Sequence, residues 1–217
     1  MMLPTNQQDS AIALTQSRSI LSQKPRVYYS TMTDMKHTTP KTLLWVDLEM
    51  TGLDPTKDLI VEVAAIVTDW NFNELGRYES GVKQSEAELR RLFAANQWTA
   101  SRPETANEIA RSLTSPAQDE VEAALLQLVN AHVKPDEVAL LAGNSIHCDR
   151  GFIKTYWPAL EKRLHYRMLD VTAWKVVMQA KYGLEFAKKE THQALADIEE
   201  SIAELQFYLD KSKLGKL

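Results

Sequence analysis

Apolar positions come in short strand-like runs in the first half of the patterned sequence and recur at helical spacing in the second. Thr42-Leu43-Leu44-Trp45-Val46-Asp47-Leu48-Glu49 is a short apolar run of strand type, closed by the turn signal Thr51-Gly52-Leu53-Asp54-Pro55. Leu59 to Trp70 and Glu74 to Lys83 predict two more strands in an antiparallel meander. Ser115-Pro116 reads as an N-cap with proline in the first turn, and Val121, Leu125, Leu128, Val129 and His132 mark one face of a long helix. Val138 to Leu141 predicts a buried strand and Asp149 to Trp157 a helix. Met168 to Thr172 is a strand-like segment leading into a helix around Trp174 to Tyr182, which Gly183 terminates. From about His192 to Leu209, Leu195, Ile198, Ile202 and Leu205 recur at helical spacing. Strands first, then alternating helices and strands, predict a mixed α/β sheet covered by helices.

Residues 1–40 are rich in Ser, Thr, Gln and Pro and carry no sustained apolar period, so they predict a disordered N-terminal extension to a domain spanning 41–217. Arg18, Lys24 and Arg26 with few acids, and the run Arg26-Val27-Tyr28-Tyr29-Ser30, also fit a mitochondrial targeting segment. Met32 and Met35 are alternative starts, and an upstream start codon explains such a tail at least as well.

The length of 217 residues, 44% of them hydrophobic, is enough for one well-filled core. A net charge of -4 and a pI near 5.8 argue against a broad basic surface tracking long nucleic acid, so any such substrate is expected to be small or locally gripped. Cys148 is the only cysteine, which excludes an intrachain disulfide and a cysteine-rich zinc site and fits a reducing compartment. No stretch approaches the roughly 18 apolar residues of a membrane span, and no secretory signal is evident. The expected location is cytoplasmic with no membrane partner, or mitochondrial if the first 40 residues are a transit peptide.

Asp47 and Glu49 lie two apart in a strand, so both side chains leave one face of the sheet. Leu44, Val46 and Leu48 define the opposite face, and Trp45 shares the acidic one, which makes a simple solvent-facing edge a less comfortable reading. Two like charges beside apolar neighbours repel and lose hydration unless a cation joins them, and a divalent metal supplies one. Asp149, in Gly143-Asn144-Ser145-Ile146-His147-Cys148-Asp149-Arg150, follows the buried Val138–Leu141 run, where functional groups are often presented; capping its own helix is the commoner role. His192 and Asp197 are five apart, about 140° around a regular helix. They face one site only if His192 lies before or within the first turn; an exposed His and a surface Asp are the plain alternative. Together, Asp47-X-Glu49, Asp149 and His192-X4-Asp197 make a set of hard oxygen ligands suited to two divalent ions, Mg²⁺ or Mn²⁺, with His192 placed to take a proton from an attacking water.

The order Asp-X-Glu, Asp, His-X4-Asp resembles the DEDDh 3′→5′ exonucleases of the ribonuclease H-like superfamily. Trp45 to Pro55, Gly143-Asn144-Ser145-Ile146, His165-Tyr166-Arg167 and Thr191-His192-Gln193-Ala194 are similar, more specifically, to the oligoribonucleases, and the likeness runs from about Thr42 to Leu214. The resemblance implies a ribonuclease H-like (DnaQ-like exonuclease) fold and a homodimer. It implies hydrolysis of short single-stranded RNA, down to dinucleotides, to nucleoside 5′-monophosphates as the final step of RNA degradation. It also implies that Asp47, Glu49, Asp149 and Asp197 hold the metals and that His192 is the base. Leu53 would wedge between bases and Trp98 hold one. Ser145, Arg167, Thr172 and Tyr166, the last from the other subunit, would cap the 5′ phosphate.

Plainer readings stand beside these: Leu53 as turn packing, Trp98 as a core aromatic, Arg167 as half of an ion pair with Asp170 or Glu161. Thr172 stands where the family has serine, Met168 where an aromatic is common, and His147-Cys148 where Gly-Gln is familiar. Trp174, Tyr182 and Phe207 are candidate interface aromatics, with core packing equally compatible. The rivals are an exonuclease acting on DNA 3′ ends, a small-phosphate hydrolase, and a non-catalytic binding module, which would be expected to have lost one of the five site residues.

Overall fold

One five-stranded sheet, in the order β3-β2-β1-β4-β5, is built from β1 (Leu43–Met50), β2 (Ile60–Thr68), β3 (Glu74–Gly81), β4 (Ala139–Gly143) and β5 (Leu164–Asp170). The first three pair antiparallel and β1, β4 and β5 pair parallel, so the predicted meander is present and continues into a parallel half. The structure is a computed structural model that describes residues 39–97, 100, 105–187 and 194–212. Within it, Pro40–Leu217 forms one compact unit. The expectation of a disordered or targeting extension over residues 1–40 falls almost wholly outside the described residues. No helix among the described residues is long and apolar enough to cross a membrane.

The central position of β1 explains why its sequence is apolar on both faces. Leu44, Val46 and Leu48 meet Val63, Ala65 and Val67 of β2 beneath α3 (Gln118–His132) and α4 (His147–Tyr156), which contribute Val121, Leu125, Val129, Phe152 and Ile153. On the other face Leu43 and Trp45 pack with Ala64, Ile66 and Ala142 under α7 (Ala194–Lys211), which contributes Ile198 and Leu205. Trp45 is fully buried and donates its indole N–H to Thr68 Oγ1 at 2.9 Å, which satisfies its one polar atom.

Two helices escape the sequence pattern. α1 (Glu86–Ala95) and α2 (Thr105–Thr114) cover only a small cluster of Val61, Leu89, Phe93 and Ile109. Their apolar stripes are too short to stand out. The cap expected at Ser115 is displaced: Ser115 Oγ donates to the Arg111 carbonyl at the end of α2, while α3 starts at Gln118, where the Ala117 N–H donates to Glu120 Oε2 at 2.7 Å. The segment read as strand up to Thr172 ends at Asp170, because the Asp170 carboxylate accepts from the Thr172 N–H at 2.9 Å and opens α6 (Val171–Tyr182). Gly183 ends α6 with φ 62°, a conformation that costs glycine little. A short α5 (Pro158–Glu161) links α4 to β5.

Arg163, just before β5, donates to the carbonyls of Val133, Lys134, Pro135 and Glu137. It thereby satisfies the C-cap carbonyl of α3 and carbonyls of the loop that leads from α3 to β4. Arg163→Ala is expected to lower unfolding stability by about 2 kcal/mol, read as a lower urea midpoint with an unchanged m-value. An unchanged midpoint would show that water replaces these contacts without loss.

Candidate functional site

Strand alternation carries the face lined by Leu43 and Trp45 on to Asp47 and Glu49, beyond the reach of the apolar part of α7. There the first turn of α7 brings in Asp197. Oxygens of Asp47, Glu49 and Asp197, all half-buried, lie within 4.8 Å of one another. No other such group of His, Cys, Asp and Glu occurs among the described residues.

Asp149, on the first turn of α4, is only 6% exposed. Its Oδ1 accepts the N–H of Leu48, the residue between Asp47 and Glu49, at 3.0 Å. It is therefore tied to β1 across the sheet edge, in addition to its place in the helix. Burial pushes its carboxyl up to about 7, against the lowering effect of its own and the Leu48 amide, with the Asp170 charge adding to the rise.

Three carboxylates that converge this closely can direct their oxygens at one cation, which would offset their mutual repulsion. The donor set is all hard oxygen, so it suits a hard divalent cation rather than a soft-ligand metal.

Leu53 sits on the turn after β1, 75% exposed. It lines a groove of about 480 Å³ with Glu49, Met50, Gly52 and Asn96, directly beside the carboxylates. Asp58 fastens this turn by accepting from Thr51 Oγ1 at 3.1 Å and from the Asp54 N–H at 3.0 Å. A Cβ on Gly52 would come within 2.5 Å of the Asp58 carboxylate, so only glycine allows that closeness. Asn96, at the end of α1, donates to the Thr51 carbonyl at 2.9 Å. The Tyr156 hydroxyl of α4 donates to the Asp58 carbonyl at 2.6 Å. Sequence reasoning does not single out Asp58 or Asn96. Their only signal is being polar beside a turn, and their partners become visible only in the fold.

The remaining residues gather at the ends of β4 and β5. Ser145 adopts φ 48°, a strained backbone for a residue with a Cβ, and its N–H donates to Asp170 Oδ1 at 3.0 Å and Thr172 Oγ1 at 2.9 Å. The Ser145 and Thr172 hydroxyls are 3.2 Å apart. Tyr166 and Arg167 are exposed on the edge strand β5, with the guanidinium 5.2 Å from the Tyr166 ring centre. The ion-pair reading for Arg167 loses its two partners: Glu161 pairs with Arg150 at 2.9 Å, and Asp170 caps α6. His147 and Cys148, which depart from the family pattern, contact each other at 3.4 Å next to Asp149. Trp98 and His192 lie outside the described residues. Of the candidate interface aromatics, Tyr182 is exposed, Trp174 packs against the core under α7, and Phe207 meets Phe186 at a tilt and Tyr208 edge-on.

The exonuclease family model, RNase T, matches residues 44–205. An oligoribonuclease of Corynebacterium glutamicum is 44% identical over 174 residues, covering 76% of this chain and 77% of its own. That of Mycobacterium bovis BCG is 42% identical over 171 residues, covering 76% and 79%. Among solved structures, the zinc-bound E. coli ExoI–ssDNA complex superimposes with TM-score 0.57 at 16% identity, covering 80% of this chain and 41% of that one. Apo exonuclease I gives 0.55. The chain spans about two fifths of these larger nucleases, and at such identity the likeness bears on the fold alone: the mixed, ribonuclease H-like sheet with flanking helices.

The raised Asp149 carboxyl makes a prediction about stability. The folded protein holds this proton more tightly than the unfolded chain, whose aspartates titrate near about 4. The stabilisation is thus fully present below that pH and is lost as pH rises through about 7. In a chelating buffer the melting temperature should fall between those limits, and Asp149→Asn should flatten the fall. Equal slopes for the two proteins would rule out Asp149 as the source.

Proposed function

The chain belongs to the oligoribonucleases of the RNase T exonuclease family, a hydrolase acting as a 3′→5′ exoribonuclease, and from that premise we propose that its substrates are very short RNAs, above all dinucleotides. The observation that carries this reading is Glu49, which belongs both to the carboxylate triplet with Asp47 and Asp197 and to the lining of the groove headed by the exposed Leu53. An apolar side chain held in water by a fastened turn has a use if a base covers it, since every base offers a π-face or an edge for apolar contact.

In this reading Asp47, Glu49, Asp149 and Asp197 hold two divalent ions, Mg²⁺ or Mn²⁺. When bound, the ions supply Lewis acidity at the attacking and leaving oxygens of the scissile phosphodiester. Every other part of the task falls to side chains. Leu53 wedges between the bases and Trp98 holds one of them, which fixes the 3′ nucleotide beside the carboxylates. His192 takes the proton from the attacking water. Ser145, Thr172 and Arg167 receive the 5′ phosphate, Arg167 through its planar fork of donors. With both ends of a dinucleotide held, a longer chain has no path onward. The negative net charge fits a substrate gripped at a few points rather than along a track.

The cap is completed by a second copy of the chain, which supplies Tyr166. Supporting this homodimer, the edge strand β5 presents Tyr166 and Met168, and the neighbouring α6 presents Val176, Val177 and Tyr182 to solvent. Val177 and Tyr182 line a cavity of about 700 Å³ together with Trp174, Met178 and Leu184. An apolar surface of this kind, on an unpaired strand edge, calls for a partner. The cytoplasm is the proposed location, with mitochondria as the alternative if residues 1–40 direct import; those residues are an extension outside the exonuclease domain.

A 5′-labelled RNA dinucleotide, compared with a long single-stranded RNA and DNA in Mg²⁺ or Mn²⁺, tests the reading. Rapid release of mononucleotide from the dinucleotide alone is expected, with Asp47→Ala and His192→Ala each reducing it by about a thousandfold or more. Preference for long DNA would make the protein a proofreading-type nuclease, and release of inorganic phosphate would make it a phosphatase. For the dimer, Val177→Asp is expected to convert the protein from dimer to monomer in light scattering and to slow dinucleotide turnover. A wild-type monomer with full activity would refute the two-chain cap.

A further inference from the structure

Asn144, between β4 and the strained Ser145, makes side-chain contacts with two helices at once. Its Nδ2 donates to Ser201 Oγ at 2.8 Å and to Glu204 Oε2 at 3.2 Å, both on α7. Its Oδ1 accepts from Thr172 Oγ1 at 3.2 Å, in the first turn of α6. Each contact leads directly to one end of the site. Ser201 Oγ donates in turn to the carbonyl of Asp197 at 2.8 Å, one helical turn back, where the third carboxylate of the triplet is attached. Thr172 Oγ1 accepts the Ser145 N–H and faces the Ser145 hydroxyl, the pair proposed to receive the 5′ phosphate.

We propose that Asn144 is a positioning residue that fixes the span between the carboxylate end and the phosphate end of the site, and thereby sets the length of RNA the enzyme prefers. This rests on the dinucleotide reading above.

The cost of the arrangement argues for such a role. Glu204 is wholly buried, with Oε2 accepting from Asn144 and Oε1 accepting from the Tyr208 hydroxyl at 2.9 Å. Burying a carboxylate is unfavourable even when hydrogen-bonded, and an apolar residue would hold α7 on the sheet more economically. What a satisfied polar network provides is a single geometry, because shifting either helix breaks bonds that buried groups cannot replace with water. Ser145 is likewise held in an unfavourable conformation by hydrogen bonds that pass through the same Thr172.

Both ends of a dinucleotide are gripped, so it is sensitive to the distance between them. A longer oligonucleotide that runs past the cap depends on the carboxylate end alone. Misplacement by about 1 Å costs on the order of 100-fold in rate, and here that loss falls on the short substrate.

The test compares 5′-phosphorylated RNA dinucleotide and pentanucleotide on one preparation of full-length Asn144→Ala, so that the ratio of their kcat/KM values does not depend on the folded fraction. The wild-type preference for the dinucleotide is expected to fall about tenfold or more. The affinity for the dinucleotide in a chelating buffer, read by fluorescence anisotropy without turnover, is expected to weaken alongside it. Asn144→Asp alone should behave similarly, whereas Asn144→Asp combined with Glu204→Gln, in which an amide at 204 donates to a carboxylate at 144, should recover a large part of the preference. If Asn144→Ala lowers both substrates equally and leaves the ratio intact, the residue is merely structural and the inference is overturned. If the wild type itself shows no preference for the dinucleotide, the reading of the substrate fails first, and the length argument with it.

Discussion

Mutual repulsion among Asp47, Glu49 and Asp197 is the constraint around which the rest of the architecture is organised. Their oxygens converge within 4.8 Å, a distance at which like charges in a half-buried setting disfavour one another strongly. Such a cluster persists only if the scaffold leaves its members no alternative. β1 supplies two of them from the middle of the sheet, flanked by β2 and β4 and packed on both faces. α7 supplies the third from its first turn, and its position is fixed by Ile198 and Leu205 against Trp45 and Ile66. The apolar packing opposes the repulsion, and a divalent cation removes it.

Asp149 shows the same tension resolved in another way. Buried and tied to the Leu48 amide, it resists ionisation, with its carboxyl raised to about 7.

Away from the charges, polar side chains determine where the exposed groups around the carboxylates stand. Asp58 and Asn96 hold the turn that keeps Leu53 in solvent. Asp170 and Thr172 hold Ser145 in its left-handed conformation. The Asp58 bonds are local, whereas those of Asn96, Asp170 and Thr172 join segments distant in the chain, so Leu53 and Ser145 inherit their positions from several elements.

The sequence by itself determined the ingredients. Period-two alternation in 43–49 put Asp47 and Glu49 on one face, and the apolar run around them marked a strand; both follow from local geometry, which repeats along the chain. The helical spacing of Ile198, Ile202 and Leu205 and the terminator at Gly183 were legible for the same reason, and the blocks around the carboxylates carried the family. Tertiary structure alone decided what depends on partners far away in sequence. The short helices at Glu86–Ala95 and Thr105–Thr114 exist because Val61 needs covering. The start of the helix at Gln118 was set by Glu120 rather than by Ser115. Asp149 looked like a cap and proved to be tied to a strand 101 residues away in the chain. Asn144 was visible as part of a motif, but its link to Ser201 and Glu204 arises only when α7 folds across β4. Local periodicity is written in neighbouring residues, whereas burial and long-range hydrogen bonding belong to the packed whole.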